Sequence, residues 1–416
     1  MRHVRCTLRF AAWRCAFALA ATLVTSHHAG ATDPAFAQFL QSLQPEAERL
    51  GVSRAVFAEA TRGLEPDFSL PDLVIAGRPQ APSRGQAEFV QTPAEYLRER
   101  SFDRLSARGR ELMKLHRATL ARIEERFGVP GPIILAIWGR ETAFGGHRLG
   151  HDAIRVLATQ AYTGRRKELF REQFLYALKM LQDGVPRERM RSSWGGAMGL
   201  TQLLPAEFYS YGVDFDGDNR VDIWDSVPDA LAAAAGQLVA KGWQRGKRWA
   251  IEVRAPKSVD CTIGVPEQTR TVADWLRAGF SPAYGRKLTP AELAEPASLL
   301  QPAGLYGPSF LTPRNYFVIK EYNTSDLYVL FVGHLADRIG DPRPFETPWG
   351  KVVQLKTADV ERMQTRLAVL GLYADKIDGK AGMKTRAAVG AYQKANGLKL
   401  DCWPTAAVLD HMRARR

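Results

Sequence analysis

A proline-rich segment near the C-terminus divides the chain of 416 residues into two parts of very different size. The segment covers residues 341–351 and contains Pro342, Pro344 and Pro348. Because proline fixes its φ angle and has no backbone N–H to donate, such a segment is typical of a linker. We therefore expect one large domain over residues 32–340 and a small separate module over residues 352–416.

The N-terminal residues 1–31 have the layout of a secretory signal peptide. Arg2, Arg5 and Arg9 precede an apolar run over residues 15–25, and Ala29-Gly30-Ala31 has the small side chains of a cleavage site. We expect cleavage near Ala31, a periplasmic location and no lipid anchor. No apolar run reaches the roughly 18 residues of a membrane span, so we expect no transmembrane segment.

The net charge of the chain indicates what kind of molecule the protein binds. Lys and Arg number 57 against 44 Asp and Glu, for a formal net charge of +13. The signal peptide contains four Arg and no acidic residue, so the mature chain keeps 13 − 4 = +9. A basic protein suits a polyanionic partner. No basic stripe interleaved with aromatic residues is present, so we expect no nucleic acid as partner and favour the cell wall or an anionic envelope surface.

Cleavage of the signal peptide leaves two cysteines, Cys261 and Cys402. An oxidising compartment would allow them to form a disulfide. They fall in different predicted domains, however, and we therefore expect them to stay unpaired.

Helical spacing of apolar residues dominates the large part of the chain. Apolar residues recur every three to four positions between residues 33 and 127, and fresh helical patterns follow over 133–143, 170–181 and 231–239. Residues 245–310 differ, because they hold short β-like runs among many prolines and glycines. The patterns predict a mainly α fold with a small β-containing insert.

Three short helices joined by tight turns are predicted after the linker. Val360, Met363 and Leu367 share one helical face, and Thr385 and Thr405 can cap two further helices. The pattern Gln364…Leu367…Asp378-Gly379…Gly382…Thr385-Arg386…Tyr392-Gln393…Gly397 resembles the peptidoglycan-binding domain of wall enzymes. Cys402 stands where that family usually has glycine. The alternative is a generic three-helix module that binds another protein.

One glutamate stands out in the large domain. Glu141 follows the apolar run that begins at Ile133 and precedes Gly145-Gly146. A carboxyl group in such a place is expected at the mouth of a cleft, where desolvation raises its pKa and keeps it protonated for use as a general acid. The alternative is a surface glutamate paired with Arg140 or Arg148.

Two further segments favour the catalytic interpretation. The glycine-rich segment from Gly195 to Pro205 contains one isolated amide, Gln202, and lacks the lysine of a phosphate-binding loop. Tyr322-Asn323-Thr-Ser325 follows another apolar run. Together with Glu141-Thr-Ala-Phe-Gly145, these motifs resemble, in this order, the catalytic domain of the lytic murein transglycosylase B family, in its soluble form, over roughly residues 34–340.

The resemblance implies a lysozyme-like α+β catalytic core, no cofactor for catalysis, and Glu141 as the sole catalytic acid and base. It also implies a set of substrate contacts: Tyr96, Arg165, Arg166, Ser193, Gln202, Tyr322 and Asn323. The family usually has Asn-Tyr where this chain has Gly236-Gln237, so one aromatic sugar contact is missing. Each contact residue has a structural alternative; Tyr96, for example, could be a core aromatic.

The reaction implied by the resemblance is cleavage of the β-1,4 bond between MurNAc and GlcNAc in peptidoglycan without water, leaving 1,6-anhydroMurNAc ends. Two alternatives remain open: a hydrolytic muramidase, which needs a second carboxylate such as Asp152, and an inactive wall-binding scaffold. Peptidoglycan is the expected partner, and other cell-wall enzymes are further partners that we consider.

An acidic loop has the spacing of an EF-hand. Oxygen ligands are expected at loop positions 1, 3, 5, 7 and 12, with one further acid at the following helix start. The residues at these places are Asp214, Asp216, Asp218, Arg220, Asp225 and Asp229. Asn219 replaces the turn glycine, and Asp225 replaces the bidentate glutamate. We expect a weak structural Ca²⁺ site, as the family resemblance also implies; the alternative is a loop of Asx turns without an ion.

Overall fold

The structure is a computed structural model that describes residues 33–75 and 87–415. The predicted signal peptide lies outside the described residues. Helices dominate, as the sequence predicted. Their bounds are α1 Pro34–Arg49, α2 Arg54–Thr61, α3 Ala87–Val90, α4 Pro93–Tyr96, α5 Glu99–Leu115, α6 Arg117–Phe127, α7 Gly131–Thr142, α8 Ala153–Thr163, α9 Lys167–Gln182, α10 Pro205–Tyr211, α11 Val227–Ala240, α12 Val272–Arg277, α13 Pro290–Leu293, α14 Arg314–Lys320, α15 Asp326–Gly340, α16 Thr357–Val369, α17 Met383–Ala395 and α18 Ala406–Ala414.

The strands of the described residues are short, and all but β7 belong to two sheets. Their bounds are β1 His151–Asp152, β2 Arg191–Ser192, β3 Ile251–Arg254, β4 Arg270–Thr271, β5 Ser281–Pro282, β6 Pro296–Leu300, β7 Pro302–Leu305 and β8 Ser309–Thr312. Strands β1 and β2 pair as an antiparallel ribbon. A five-stranded antiparallel sheet has the order β4-β6-β8-β3-β5. It forms the predicted β-containing insert, which extends to Thr312.

Helix α7 lies at the centre of the large domain. Pro130 precedes it in extended conformation and Pro132 occupies its first turn, where a missing N–H costs nothing. Its residues Ile134, Leu135, Ala136 and Ile137 are fully buried. The helix packs against α5, α11 and α15, so it is apolar on every face. A second apolar core joins α1, α2, α8 and α9.

The C-terminal module is the predicted three-helix unit. Its core joins α16, α17 and α18 through Met363, Leu367, Val389 and Leu409. Gln364 ties the turn between the first two helices, because its Oε1 accepts hydrogen bonds from the backbone N–H groups of Asp378 and Gly379 at 3.0 and 2.9 Å.

Our expectation that the two cysteines stay unpaired is wrong, because Cys261 and Cys402 form a disulfide. They are distant in sequence, but the module packs against the insert. The N–H of Leu305 donates to the carbonyl of Asp401 at 3.0 Å, and Lys394 pairs with Asp260 at 2.8 Å. Cys402 has a φ of 54°, which explains why glycine is usual at this place.

The proline-rich segment lies along the large domain. Phe345 stacks on the His334 ring with centroids 3.7 Å apart, and the N–H of Gly350 donates to the carbonyl of Tyr306 at 2.6 Å. Within the described ranges, no helix has both the length and the apolar character to cross a bilayer.

Candidate active site

Glu141 is the penultimate residue of α7, where the helix ends in an unusual turn. Ala143 and Phe144 both adopt left-handed conformations, with φ of 50° and 59°. The ring of Phe144 turns back onto Gly139, where an added Cβ would lie 2.6 Å from a ring carbon. This reversal leaves the Glu141 side chain half-buried at the end of the apolar helix.

A buried tyrosine contacts the Glu141 carboxyl directly. The hydroxyl of Tyr328, in the first turn of α15, donates to Oε1 of Glu141 at 2.5 Å. Burial raises the pKa of Glu141, the hydrogen bond from Tyr328 and the charge of Arg140 lower it, and the charge of Glu88 raises it. The net direction is upward from the usual 4.5. The carboxyl therefore tends to hold its proton and can act as an acid.

Tyr322 lies parallel to Tyr328, with ring centroids 6.4 Å apart and planes inclined by 11°. Its hydroxyl donates to the carbonyl of Thr201 at 2.8 Å. Burial first, and then the negative charge of Glu141, raise the pKa of both phenols well above 10. Both tyrosines are therefore neutral, and of the two only Tyr328 donates to the carboxyl of Glu141.

The glycine-rich segment is held against the end of α7. The hydroxyl of Thr142 donates to the carbonyl of Leu200 at 2.8 Å. Gly199 has a φ of 73° and lies so close to Ile223 that an added Cβ would be 2.6 Å from its carbonyl oxygen. Only glycine fits there. Gln202 also has a positive φ, of 59°, and its amide donates to the carbonyl of Gly199 at 3.0 Å.

The predicted residues Glu141, Gln202 and Tyr322 therefore belong to three segments that meet. Asn323 follows Tyr322 and donates from its amide to Oε1 of Glu88 at 2.9 Å. Glu88 is 8% exposed. Ser193 is half-buried, and its hydroxyl accepts from the N–H of Ala197 at 3.3 Å inside the glycine-rich segment.

Tyr96 is 8% exposed and lies in the main core, so its ring is largely covered by protein. Its hydroxyl accepts hydrogen bonds from the Arg140 guanidinium at 2.6 and 3.1 Å. Burial raises the pKa of Tyr96 to about 12. Arg140 is also within 5.9 Å of the Tyr328 ring centre. Most of the contacts of Tyr96 are those of a core aromatic residue, which is the alternative that we considered for it from the sequence.

Arg165 and Arg166 immediately precede α9. Their side chains lie 3.2 and 4.0 Å from the two carboxylate oxygens of Asp72 and remain 45% and 55% exposed. The two arginines thus share a counter-ion and present their charge to solvent.

Two other residues considered from the sequence have structural roles. Asp152 caps α8 by accepting from the N–H of Ile154 at 3.0 Å, and it pairs with Arg187 at 2.7 Å. Gln237, at the place of the missing aromatic, is 4% exposed and donates to Glu207 at 3.0 Å.

Sequence reasoning missed Tyr328, Glu88 and the Arg140–Tyr96 contact. Tyr328 lies inside an apolar run. Its phenol is the one polar group in the first turn after Asp326, and this is the signal from which the sequence could have predicted it. Glu88 lies far from Glu141 along the chain, and no local pattern connects them.

The acidic loop brings together three of the six predicted calcium ligands. Carboxylate oxygens of Asp214, Asp216 and Asp229 lie within 4.8 Å of one another, and Asp229 is fully buried. Asn219 takes the glycine-like turn with a φ of 69°. Such a convergence of carboxylates fits a hard cation. Asp225 instead pairs with Arg189 at 2.5 Å. Asp218 lies outside the cluster and accepts from the N–H of Arg220 at 2.9 Å, although Asp214 and Asp229 also accept from backbone N–H groups of the loop.

Two family models match the chain. The transglycosylase SLT domain matches residues 35–337, and the putative peptidoglycan-binding domain matches residues 356–412. A curated relative, membrane-bound lytic murein transglycosylase B of Escherichia coli strain K12, is 31% identical over 168 residues, which are 39% of this chain. The chain spans 45% of the length of that relative.

Two solved structures resemble the fold over different shares of the chain. The crystal structure of SltB3 from Pseudomonas aeruginosa in complex with NAG-anhNAM-pentapeptide is 36% identical, with a TM-score of 0.81 over 92% of this chain and 100% of that chain. A structure of Escherichia coli lytic transglycosylase Slt35 in complex with calcium is 26% identical, with a TM-score of 0.51 over 61% of this chain and 81% of that chain.

Proposed function

The chain belongs to the transglycosylase SLT-domain family, and from that premise we propose that it is a lytic transglycosylase of peptidoglycan. The bond cleaved is the β-1,4 linkage between MurNAc and GlcNAc, and the product carries a 1,6-anhydroMurNAc end. The observation that carries the proposal is the half-buried Glu141 with a raised pKa, hydrogen-bonded by the neutral phenol of Tyr328.

Glu141 would act twice. As an acid, it protonates the glycosidic oxygen, the bond to the anomeric carbon of MurNAc breaks, and GlcNAc leaves as an alcohol. Positive charge develops at the anomeric carbon, where the substrate's own N-acetyl oxygen is available to stabilise it. The ionised Glu141 then takes the proton from the 6-hydroxyl of MurNAc, whose oxygen bonds to the anomeric carbon. No water is consumed.

The hydrolytic alternative needs a second carboxylate, about 5–5.5 Å away in a retaining enzyme and about 6.5–9.5 Å away in an inverting one. The engagement of Asp152 with Arg187 and the α8 N-terminus argues against it in that role. Glu88 is the acid whose charge reaches Glu141, and it is held by Asn323. Glu88 is therefore the acid to replace in a test for a muramidase mechanism.

We further propose that Gln202, Ser193, Tyr322 and Asn323 bind the sugars next to the cleaved bond, with Tyr96 behind them. Arg165 and Arg166 would bind anionic groups of the polymer, which their exposed charge supports. The module, proposed to span residues 352–416 beyond a linker at 341–351, would bind the same peptidoglycan and raise its local concentration at the cleft.

An exported, periplasmic enzyme of residues 32–416 is proposed, and the Cys261–Cys402 disulfide supports an oxidising compartment. Asp214, Asp216 and Asp229 would hold a structural Ca²⁺ ion. The ion would neutralise three neighbouring carboxylates and stabilise the loop before α11, with no part in the chemistry.

Mass spectrometry of the products from purified sacculi tests the proposal. Soluble fragments with anhydro ends are expected. Reducing ends would indicate a muramidase, and the absence of soluble fragments would indicate a wall-binding scaffold.

A further inference from the structure

An arginine of the C-terminal module reaches into the large domain beside the candidate active site. Arg386 lies on α17, and its Nη2 is 2.9 Å from Oδ2 of Asp326, the first residue of α15. Arg386 is 6% exposed and Asp326 is 7% exposed. The pair is therefore a buried contact between two parts of the chain that the sequence separates by the proline-rich segment.

Asp326 does not depend on Arg386 for charge compensation. Its Oδ1 accepts hydrogen bonds from the Tyr316 hydroxyl at 2.8 Å and from Nζ of Lys320 at 2.5 Å. Lys320 belongs to the large domain, so the carboxylate keeps a cation and a hydroxyl donor without the module. Arg386 adds a second contact to Asp326. It binds Oδ2, the carboxylate oxygen that Tyr316 and Lys320 leave free, and it comes from the module and not from the large domain.

The anchored residue lies two positions before the tyrosine that contacts Glu141. Tyr328 is in the first turn of the helix that Asp326 begins, and its hydroxyl donates to Oε1 of Glu141 at 2.5 Å. The preceding residue, Ser325, caps this helix and accepts a hydrogen bond from the N–H of Leu327 at 3.1 Å. Ser325 in turn donates its own N–H to Asn323 at 3.1 Å.

We propose that Arg386 is a positioning residue for the reaction at Glu141, so that the module forms part of the structure that sets the catalytic geometry as well as binding polymer. By fixing Asp326, Arg386 fixes the start of α15 and with it the Tyr328 hydroxyl. The proposal rests on the proposed function, since it concerns the same carboxyl. A small displacement of a group around a reacting centre is enough to reduce turnover strongly.

The test compares Arg386→Gln, Arg386→Lys and a matched control. Lys394→Ala is the control, because Lys394 is on the same helix, pairs with Asp260 of the large domain and is 65% exposed. Each full-length protein, with its disulfide intact, is assayed on a soluble GlcNAc–MurNAc tetrasaccharide for kcat and KM. Pelleting with purified sacculi measures binding, and thermal melting checks that each variant is folded.

The positioning role predicts that Arg386→Gln lowers kcat by about 10- to 100-fold, with KM changed less than about twofold and sacculus binding retained. Arg386→Lys restores part of the kcat, and Lys394→Ala behaves as wild type. A folded Arg386→Gln protein with wild-type kcat on the tetrasaccharide overturns the proposal, even if its sacculus binding falls. A fall in melting temperature with unchanged kcat also overturns it, because the contact is then only structural. A wild-type protein that yields no anhydro product refutes the proposed function instead.

Discussion

The Tyr328 hydroxyl and Oε1 of Glu141 are joined by a hydrogen bond between a neutral donor and the one carboxyl that ends the central helix. The direction of the bond matters, because a phenol whose pKa is raised well above 10 can donate to a carboxylate at any physiological pH. The contact therefore stabilises the ionised state of Glu141 against the burial that favours the protonated state. The protonated and ionised forms of Glu141 are thereby brought closer in free energy. A group that donates a proton and then takes one back needs both forms to be accessible.

Replacing Glu141 with Gln should lower the release of soluble fragments from sacculi by at least about 100-fold, because the amide cannot donate the proton to the leaving oxygen. Pelleting should show unchanged sacculus binding. Glu111→Gln is a matched control, since Glu111 is 66% exposed and pairs with Arg108. Turnover by Glu141→Gln at the wild-type rate would contradict the assignment.

Replacing Tyr328 with Phe should shift the pH profile of kcat/KM. Loss of the donated hydrogen bond raises the pKa of Glu141 further, so the limb on which activity falls with rising pH moves to higher pH. A hydrogen bond to a charged group contributes about 1.5–3 kcal/mol, which corresponds to about one to two pH units. Tyr284→Phe, which removes a hydroxyl bonded only to the Pro344 carbonyl, should leave the profile in place. A limb that moves to lower pH would contradict this account.

Glu141→Gln should also change stability in a pH-dependent way. The fold raises the pKa of Glu141 above its usual 4.5, so the wild type is most stable where the carboxyl is protonated and loses stability as the pH rises through the raised pKa. Each unit of the rise corresponds to about 1.4 kcal/mol. Melting curves should therefore show the variant more stable than the wild type at pH 7.5 and no more stable at pH 4. Equal stability at pH 7.5 would mean that burial does not penalise this carboxylate.

Cys261→Ala should lower the free energy of unfolding by about 2–4 kcal/mol, because the disulfide closes a long loop, with a sequence separation of 141 between its cysteines. Cys261 is the better site for the test, since Cys402 has a strained φ that a substitution would also affect. Dithiothreitol should destabilise the wild type to the same extent and leave the variant unchanged. A wild type insensitive to dithiothreitol would show that the bridge does not stabilise the fold.

Calcium should stabilise the wild type. With a dissociation constant of about 10⁻⁴–10⁻³ M, 10 mM Ca²⁺ adds roughly 1.4–2.7 kcal/mol to the free energy of unfolding. Asp216→Asn should abolish the shift in melting temperature, because Asp216 belongs to the carboxylate cluster. Asp225→Asn should retain the shift, because Asp225 contacts Arg189 instead. Loss of the shift in both variants would favour the ligand set predicted from sequence spacing.

The parts of the fold that the sequence predicted are those with a local signal. The helical spacing of apolar residues predicts the module and the central helix before Glu141, since each pattern needs only a few turns of chain. Glycine-rich composition likewise indicated the segment that approaches the end of α7. These features depend on residues that are close together in the chain, and a sequence pattern contains information about such residues only.

The features that the sequence did not predict depend on contacts between residues that are far apart in the chain. The disulfide requires that the module pack on the insert, which no local pattern reveals, and the assumption of separate domains argued against it. Spacing also suggested Asp225 as a calcium ligand, but Arg189, far earlier in the chain, competes for that carboxylate. Glu88 and Tyr328 lie on different helices and become neighbours of Glu141 only in the folded chain.

The Arg386–Asp326 pair and the disulfide fasten the module to the large domain at two separate points. With two such contacts, the module cannot rotate relative to the large domain about either one. If the module binds peptidoglycan as proposed, its binding surface and the Glu141 carboxyl are held at a fixed distance from each other.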